Sequence, residues 1–293
     1  MQELFLGVKV QKLSIDAGFT CPNRDGSIGQ GGCIYCNNAS FTPSYCTPAD
    51  SIETQIEKGK AFFRRKYPEM KYLAYFQSYT NTFGKSVEQL AEMYSKAAHM
   101  EDILGVIIGT RPDCLPDKLL DRLAELNSEK TVIVEIGAET SFDHTLRLIN
   151  RNHTWQDVED AVLRLNQRGI HTGIHLIAGL PGETSVDVLT TVKKACALPI
   201  GSIKMHQLQI VKGTPLYRMW QAREIEVTPY TLDTYLDLCV SIVKMVPRKI
   251  CIERFLASSP PDMVAAPCWN LKNYQFTNLL HTLLRKTATE SKD

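Results

Sequence analysis

The sequence predicts an α/β protein in which a parallel sheet is covered by helices. Two observations carry the prediction: six short apolar, β-branched segments recur along the chain, and helix-length segments with apolar residues at three- and four-residue spacing lie between them. A third supports it. Continuous apolar strands joined by helical crossovers belong to sheets buried on both faces, either open and doubly wound or curled into a barrel. Six such units suit a partial or a full barrel.

The first strand is VKVQKLSI (8–15), and after a long loop the pattern turns helical over 52–67, ending before Pro68. YLAYFQ (72–77) leads to a helix over 87–100, LGVIIGT (104–110) to one over 116–126, and TVIVEIG (131–137) to one over 155–168. The fifth unit pairs IHTGIHLIAGL (170–180) with a helix over 186–197, and SIKMHQLQI (202–210) is the sixth strand. Beyond VKGTPLY come a helix over 230–246, a short strand KICIERF (249–255), a proline-rich turn SSPPDMVAAP and a last helix over 269–285. This division gives a main domain over 1–246 and a small C-terminal extension over 247–293.

Lysine and arginine number 33 against 32 acidic residues, so no net field draws nucleic acid or an anionic membrane, and DNA is not expected as a partner. The basic run KGKAFFRRKY (58–67) reads as a solvated helix face. MQELFLGVKV carries no basic leader followed by an apolar run, and no window approaches the roughly 18 apolar residues of a membrane span, so a cytoplasmic protein without membrane association is expected. Nine cysteines in a reducing compartment point to metal binding or catalysis rather than to disulfides.

In either parallel architecture ligands gather at the carboxyl ends of the strands. Cys21 follows strand one, QSYTN strand two, TRPD strand three, AETS strand four and GLPGE strand five. The loop CPNRDGSIGQGGCIYC spaces its thiols as Cys21-x11-Cys33-x2-Cys36, with Cys46 ten residues further on. A structural zinc site asks for four ligands and usually two knuckles, where only one is present. A redox dithiol of Cys33 and Cys36 would open a helix rather than sit in a glycine loop. An iron–sulfur cubane held by three thiolates accounts for all three and leaves one iron open. Gly26, Gly29, Gly31 and Gly32 allow backbone amides to approach sulfide and thiolate closely. Cys46 reads as a partly buried thiol outside the ligand set.

A three-cysteine loop after the first strand of a six-unit βα chain resembles the radical S-adenosylmethionine (radical SAM) superfamily, whose usual spacing is Cys-x3-Cys-x2-Cys. The longer first gap, with KLSIDAGFTCPNRDG and GGCIYCNNASF, is similar to the bacterial YhcC/YtqA group of that superfamily, over nearly the whole chain. The resemblance implies a partial (β/α)6 TIM-like barrel of parallel strands, with a [4Fe-4S] cluster and S-adenosylmethionine as cofactors. Cys21, Cys33 and Cys36 are then the metal ligands, and Tyr35 packs near the adenine. The family's strand-two Gly-Gly-Glu is replaced by Gln77-Ser78-Tyr79-Thr80, so Gln77 and Thr80 would accept from the ammonium of the methionine moiety. EIGAETSF resembles a Glu-Leu-Gly-x-Gln-Ser segment of tRNA-modifying and porphyrin-type relatives, which turns Glu139 and Ser141 to the cofactor. LRLINRNHT resembles an Arg-x-His segment, giving Arg151, or Arg147 one turn earlier, to the methionine carboxylate. HLIAGLPGET matches the adenine-edge motif and assigns Ile177, Gly179 and Leu180. Arg111 would meet ribose, carboxylate or substrate, or pair with Asp113.

By the same resemblance the enzyme reductively cleaves S-adenosylmethionine to a 5′-deoxyadenosyl radical, supplied with one electron by a donor such as flavodoxin or ferredoxin. The substrate would be a tRNA nucleotide or a small metabolite, and no catalytic side chain is assigned. His171, His175 and His206 alternate on strands five and six and read either as core histidines or as substrate contacts. The alternative from another class is a zinc-stabilised α/β binding or scaffold protein without redox chemistry.

Overall fold

A computed structural model describes residues 5, 7–40, 42–64, 69–257 and 259–290. In chain order the first half carries β1 (Val10–Ile15), α1 (Ile52–Arg64), β2 (Lys71–Phe76), α2 (Val87–Ala98), β3 (Ile103–Thr110), α3 (Asp117–Asn127) and β4 (Thr131–Glu139). Next come α4 (Asp143–Leu148), α5 (Trp155–Gln167), β5 (His171–Ala178), α6 (Ser185–Cys196), β6 (Ser202–Gln207), β7 (Ile210–Val211) and α7 (Pro215–Gln221). The chain ends with α8 (Leu232–Met245), β8 (Cys251–Arg254), β9 (Val264–Ala266) and α9 (Asn273–Glu290).

Seven strands form one sheet in the order β1-β2-β3-β4-β5-β6-β8, and β7 and β9 form a second, antiparallel ribbon. The pairs β1·β2, β2·β3, β3·β4 and β6·β8 are parallel. Contacts divide the chain into two units: residues 1–30, 42–137 and 157–173 make the first, and 31–41, 138–156 and 174–293 the second.

In the first unit the strands are nearly continuous apolar runs. Five of the six residues of β2 are buried, because helices occlude what would otherwise be a solvent face. Leu73, Tyr75, Ile107 and Ile133 form one core cluster on β2, β3 and β4. Leu119, Leu120, Leu123 and Leu126 make the buried stripe of α3, each removal from water stabilising by about 1.5–3 kcal/mol. A capping box between Ser86 and Gln89 starts α2. In the second unit Thr184 and Asp187 start α6 in the same way, and a core of Leu146, Ile149, Leu180, Leu208, Ile210, Leu216 and Ile225 gathers α4, α7 and the ends of the strands.

The expected strands are present with shifted ends. β1 starts two residues late and β4 runs two residues further, to Glu139. The expected sixth strand, 202–210, is two elements: β6 stops at Gln207, the Leu208 amide donates to the Ala178 carbonyl at 2.8 Å, and β7 then pairs with β9, inside what reads in sequence as a proline-rich turn. The apolar alternation runs unbroken through this change of partner, so periodicity does not register it. The expected end of α1 at residues 65–67 lies outside the described residues. The strand of the proposed extension is β8, which pairs with β6 as the seventh strand of the sheet. Among the described residues no helix is long and apolar enough to cross a membrane.

Candidate cofactor-binding site

In the first unit the loop after β1 is braced by its own backbone. The Cys21 carbonyl accepts from the amides of Arg24 (2.8 Å) and Asp25 (3.3 Å), Pro22 accepts from Ile28 and Gly29, and Asp25 bridges to Gln30. Cys21 is buried at the root of this turn. At the end of β2, Thr80 is buried and its amide donates to the Thr20 carbonyl at 3.2 Å, while Gln77 is half-buried. Arg111, after β3, is 1% exposed and grips Asp113 with a fork, Nε to Oδ1 at 2.8 Å and Nη2 to Oδ2 at 2.7 Å. Of the roles open to Arg111 in sequence, the pair with Asp113 is the one the structure displays.

Cys46 is tied to α1. Its Sγ donates to Gln55 Oε1 at 3.1 Å, and burial, with Asp16 adding to it, pushes the thiol up to about 12. Cys114 is likewise pushed to about 12 by burial and by Asp113. Both are neutral thiols at neutral pH.

The second unit brings four of the expected residues together. Gly31 and Gly32 lead, both with positive φ, into a turn in which the Cys36 amide donates to the Cys33 carbonyl at 3.0 Å. That turn is pinned from two sides. The Ile34 amide donates to Ile149 (3.1 Å) and the Asn150 Nδ2 to Gly32 (2.8 Å), while the Leu216 amide of α7 donates to Ile34 (2.8 Å).

Arg151 arrives beside Cys33 because of how α4 ends. The Arg151 amide donates back to Leu146 and the Asn150 amide to Arg147, with Asn150 left-handed at φ 55°, which is a Schellman cap with asparagine in the position glycine usually takes. Arg151 is 7% exposed; Arg147, the alternative, is exposed on α4. The Arg151 guanidinium places Nη1 3.7 Å from Cys33 Sγ, Nη2 3.4 Å from Glu139 Oε1 and Nε 3.0 Å from His153 Nε2. Burial disfavours its charge, and Cys33, Glu139 and Tyr35 more than offset this, holding it well above the ordinary arginine value.

Glu139 reaches this cation through a tight backbone turn at the end of β4. The Thr140 amide donates to the Ala138 carbonyl at 2.8 Å with Glu139 between them at φ 67°. That is a γ-turn of the rare left-handed kind, a conformation that costs of order 1–3 kcal/mol and persists only where its surroundings impose it. Tyr35 belongs to the same group: burial, then Cys33 and Glu139, raise its phenol well above the ordinary value, with Arg151 opposing. Its ring packs on the apolar core that holds Leu180, with Ile177 packed beside it. Gly179 has φ 88°, and a Cβ there would stand 3.2 Å from the Tyr230 ring, so both conformation and space call for glycine. Ser141 is buried, with its hydroxyl 3.1 Å from that of Thr191 on α6.

His153 is the residue the sequence reading passed over, although the Arg-x-His segment contains it. Its Nδ1 lies 3.1 Å from the Thr154 carbonyl, so Nδ1–H donates there and Nε2 is left to accept from Arg151. The ring is thereby neutral with a fixed tautomer.

No group of three or more His, Cys, Asp and Glu side chains among the described residues is arranged to hold a metal ion. The donor chemistry suits a thiolate-bound group nonetheless: Cys33 and Cys36 bracket one turn, and a fixed, buried positive charge stands beside the Cys33 sulfur.

Residues 21–195 match the model of the Radical SAM superfamily, and residues 200–286 that of the Radical_SAM C-terminal domain. The chain belongs to the radical SAM superfamily and is an enzyme of that class. Among individual relatives it is 35% identical over 283 residues to YtqA of Bacillus subtilis, across 97% of this chain and 87% of that protein. It is 38% identical over 267 residues to YhcC of Escherichia coli K12, across 90% and 83%. A more distant relative, 26% identical over 272 residues and across 80% of this chain and 58% of its own, is the tRNA uridine(34) acetyltransferase of Dehalococcoides mccartyi. Among solved structures, the archaeal Elp3 of Methanocaldococcus infernus superposes with a TM-score of 0.69 at 17% identity, over 96% of this chain and 64% of that one. Methylornithine synthase superposes at 0.55 and 11% identity, over 96% and 84%. These likenesses establish the fold as a TIM-like partial barrel of parallel strands.

Proposed function

We propose that this enzyme reductively cleaves S-adenosylmethionine at a [4Fe-4S] cluster held by Cys21, Cys33 and Cys36, and that the resulting 5′-deoxyadenosyl radical acts on a tRNA nucleotide or a small metabolite. The observation that carries the reading is the buried group of Cys33, Arg151 and Glu139, in which a cation and a carboxylate are held beside a candidate cluster ligand by a left-handed turn and a helix cap. When bound and reduced, the cluster supplies the electron that breaks the carbon–sulfur bond of the sulfonium and releases methionine.

The chain's own part is binding and orientation. Arg151 offers the fork that matches the methionine carboxylate, and Glu139, Gln77 and Thr80 offer acceptors to its ammonium. Without cofactor, Glu139 and Arg151 compensate one another across 3.4 Å; with it, each finds a stronger partner of opposite charge. Tyr35, Ile177, Gly179 and Leu180 would flank the adenine, the glycine because its left-handed backbone exposes amide edges. Ser141 would stiffen the end of β4 from Thr191, and Arg111, paired to Asp113, would contribute its charge near ribose or substrate. The tRNA uridine acetyltransferase relative supports a nucleotide substrate, and a flavodoxin or ferredoxin would suit the single-electron supply.

The test is product analysis. Anaerobically reconstituted protein, given dithionite and S-adenosylmethionine, should form 5′-deoxyadenosine and methionine in equal amounts. A zinc scaffold would form neither, and that result would retire the reading.

A further inference from the structure

Glu183, in the turn between β5 and α6 of the second unit, carries a half-buried carboxylate for which the scheme above has no use. As a helix cap it is surplus. α6 already starts in a capping box, in which the Thr184 hydroxyl accepts from the Asp187 amide and the Asp187 carboxylate accepts from the Thr184 amide at 2.8 Å. The Glu183 side chain turns instead towards the end of β4, where Oε1 accepts from the Thr140 hydroxyl at 2.6 Å. Burial raises its carboxyl above the ordinary value, opposed by the hydroxyls of Thr140 and Thr145; Asp187 adds to the rise and His144 opposes it.

Thr140 is the residue that closes the γ-turn. It is fully buried, and its amide is the one that donates to Ala138 across the left-handed Glu139. A hydroxyl has one proton, and an ionised carboxylate only accepts, so the Thr140 proton is committed to Glu183 in a bond of the strong, charge-assisted kind. The Thr140 oxygen is left to accept from the Phe142 amide at 3.3 Å. Phe142 is the N-cap of α4, and the other end of that helix carries the Asn150 cap that delivers Arg151. One carboxylate thus anchors both backbone features that bring Glu139 within 3.4 Å of Arg151. A left-handed glutamate persists only where its surroundings impose it, and this bond is the one that reaches the turn from another strand end. Glu183 is itself fixed by its amide, which donates to the Leu180 carbonyl at 3.0 Å after Gly182 at φ 79°.

We infer that Glu183 is a positioning residue for the cofactor site: through Thr140 it holds the turn that sets Glu139 against Arg151, and so places the acceptor offered to the ammonium of S-adenosylmethionine. Its part in binding that cofactor rests on the reading given under Proposed function. Glu183 acts only through the turn, so its removal weakens binding and leaves the rate of the bound complex nearly intact.

The test has two readouts. In the full chain without cluster or S-adenosylmethionine, nitrogen-labelled in its seven histidines, His153→Asn assigns the His153 ring by magnetic resonance. His153 Nε2 accepts from Arg151 Nε at 3.0 Å, so its signal reports where the guanidinium stands. The expected result is a displaced His153 signal in Glu183→Ala and in Thr140→Val, and a smaller displacement in Glu183→Gln, whose amide oxygen still accepts. After anaerobic reconstitution, the KM for S-adenosylmethionine in 5′-deoxyadenosine formation should rise about tenfold in Glu183→Ala and in Thr140→Val, with kcat within about threefold of the parent. The double variant should be no worse than the poorer single one, because both substitutions break one hydrogen bond. A folded Glu183→Ala or Thr140→Val chain with an unmoved His153 signal and the parental KM overturns the inference, as does a double variant whose effects add. The His153 comparison needs no cluster, so displacement there in a chain that cleaves no S-adenosylmethionine keeps Glu183 as the holder of this turn and removes the cofactor reading.

Discussion

Arg151 reaches a thiol because asparagine at 150 ends α4 in a left-handed cap, and His153 then fixes the guanidinium by accepting from Nε. Removing it as Arg151→Ala strands Glu139 in a buried position, so a loss of about 3 kcal/mol in unfolding free energy is expected by urea titration. Arg151→Lys keeps the charge and loses the fork; binding of S-adenosylmethionine should weaken roughly 10- to 100-fold by equilibrium dialysis while stability changes less. Cys46 makes a different prediction. Its folded-state value of about 12 lies above the ordinary thiol value, so its contribution is intact below about pH 9 and is lost as pH rises towards 12. The urea midpoint of the parent should therefore fall between pH 9 and 11, and Cys46→Ala should flatten that fall. At this scale the sequence disclosed residue types and their spacing, which suffices for Arg151 in an Arg-x-His segment. It did not disclose that Glu139 sits in a γ-turn, because no residue code specifies that strained conformation; the surrounding packing imposes it.

Elements were legible where they were long and regular. β2, β3 and α3 stand close to their expected bounds because apolar period and helical crossover agree over ten or more residues in each unit. α4 and α7, of six and seven residues, are shorter than the window in which a helical period can be seen, and the β7–β9 ribbon depends on a pairing between residues more than 50 apart. Within the sheet, Gly105 faces Thr131 across the β3–β4 register, where an added Cβ would stand 2.0 Å from the Thr131 carbonyl oxygen. Gly105→Ala should therefore cost about 2 kcal/mol or more, read as a lowered midpoint of thermal unfolding. At the other edge, β8 covers β6. Truncation after Val246 should expose that ladder and send the chain into the insoluble fraction, measured as soluble yield against the full chain.

At the scale of the molecule, parallel βα units set the unusual loops at the carboxyl ends of the strands, which is where sheets of this kind gather their ligands. What sequence could not supply was the register shift between β6 and β8, which sets Arg254 opposite Lys204. The central claim is that three thiolates, Cys21, Cys33 and Cys36, hold the cluster. Its most direct measurement is iron and acid-labile sulfide per chain after anaerobic reconstitution, in the parent and in four single alanine variants. The account predicts about four irons in the parent and in Cys46→Ala, and loss of the cluster in Cys21→Ala, Cys33→Ala and Cys36→Ala. Full iron content in any of those three, or its loss in Cys46→Ala, would contradict it.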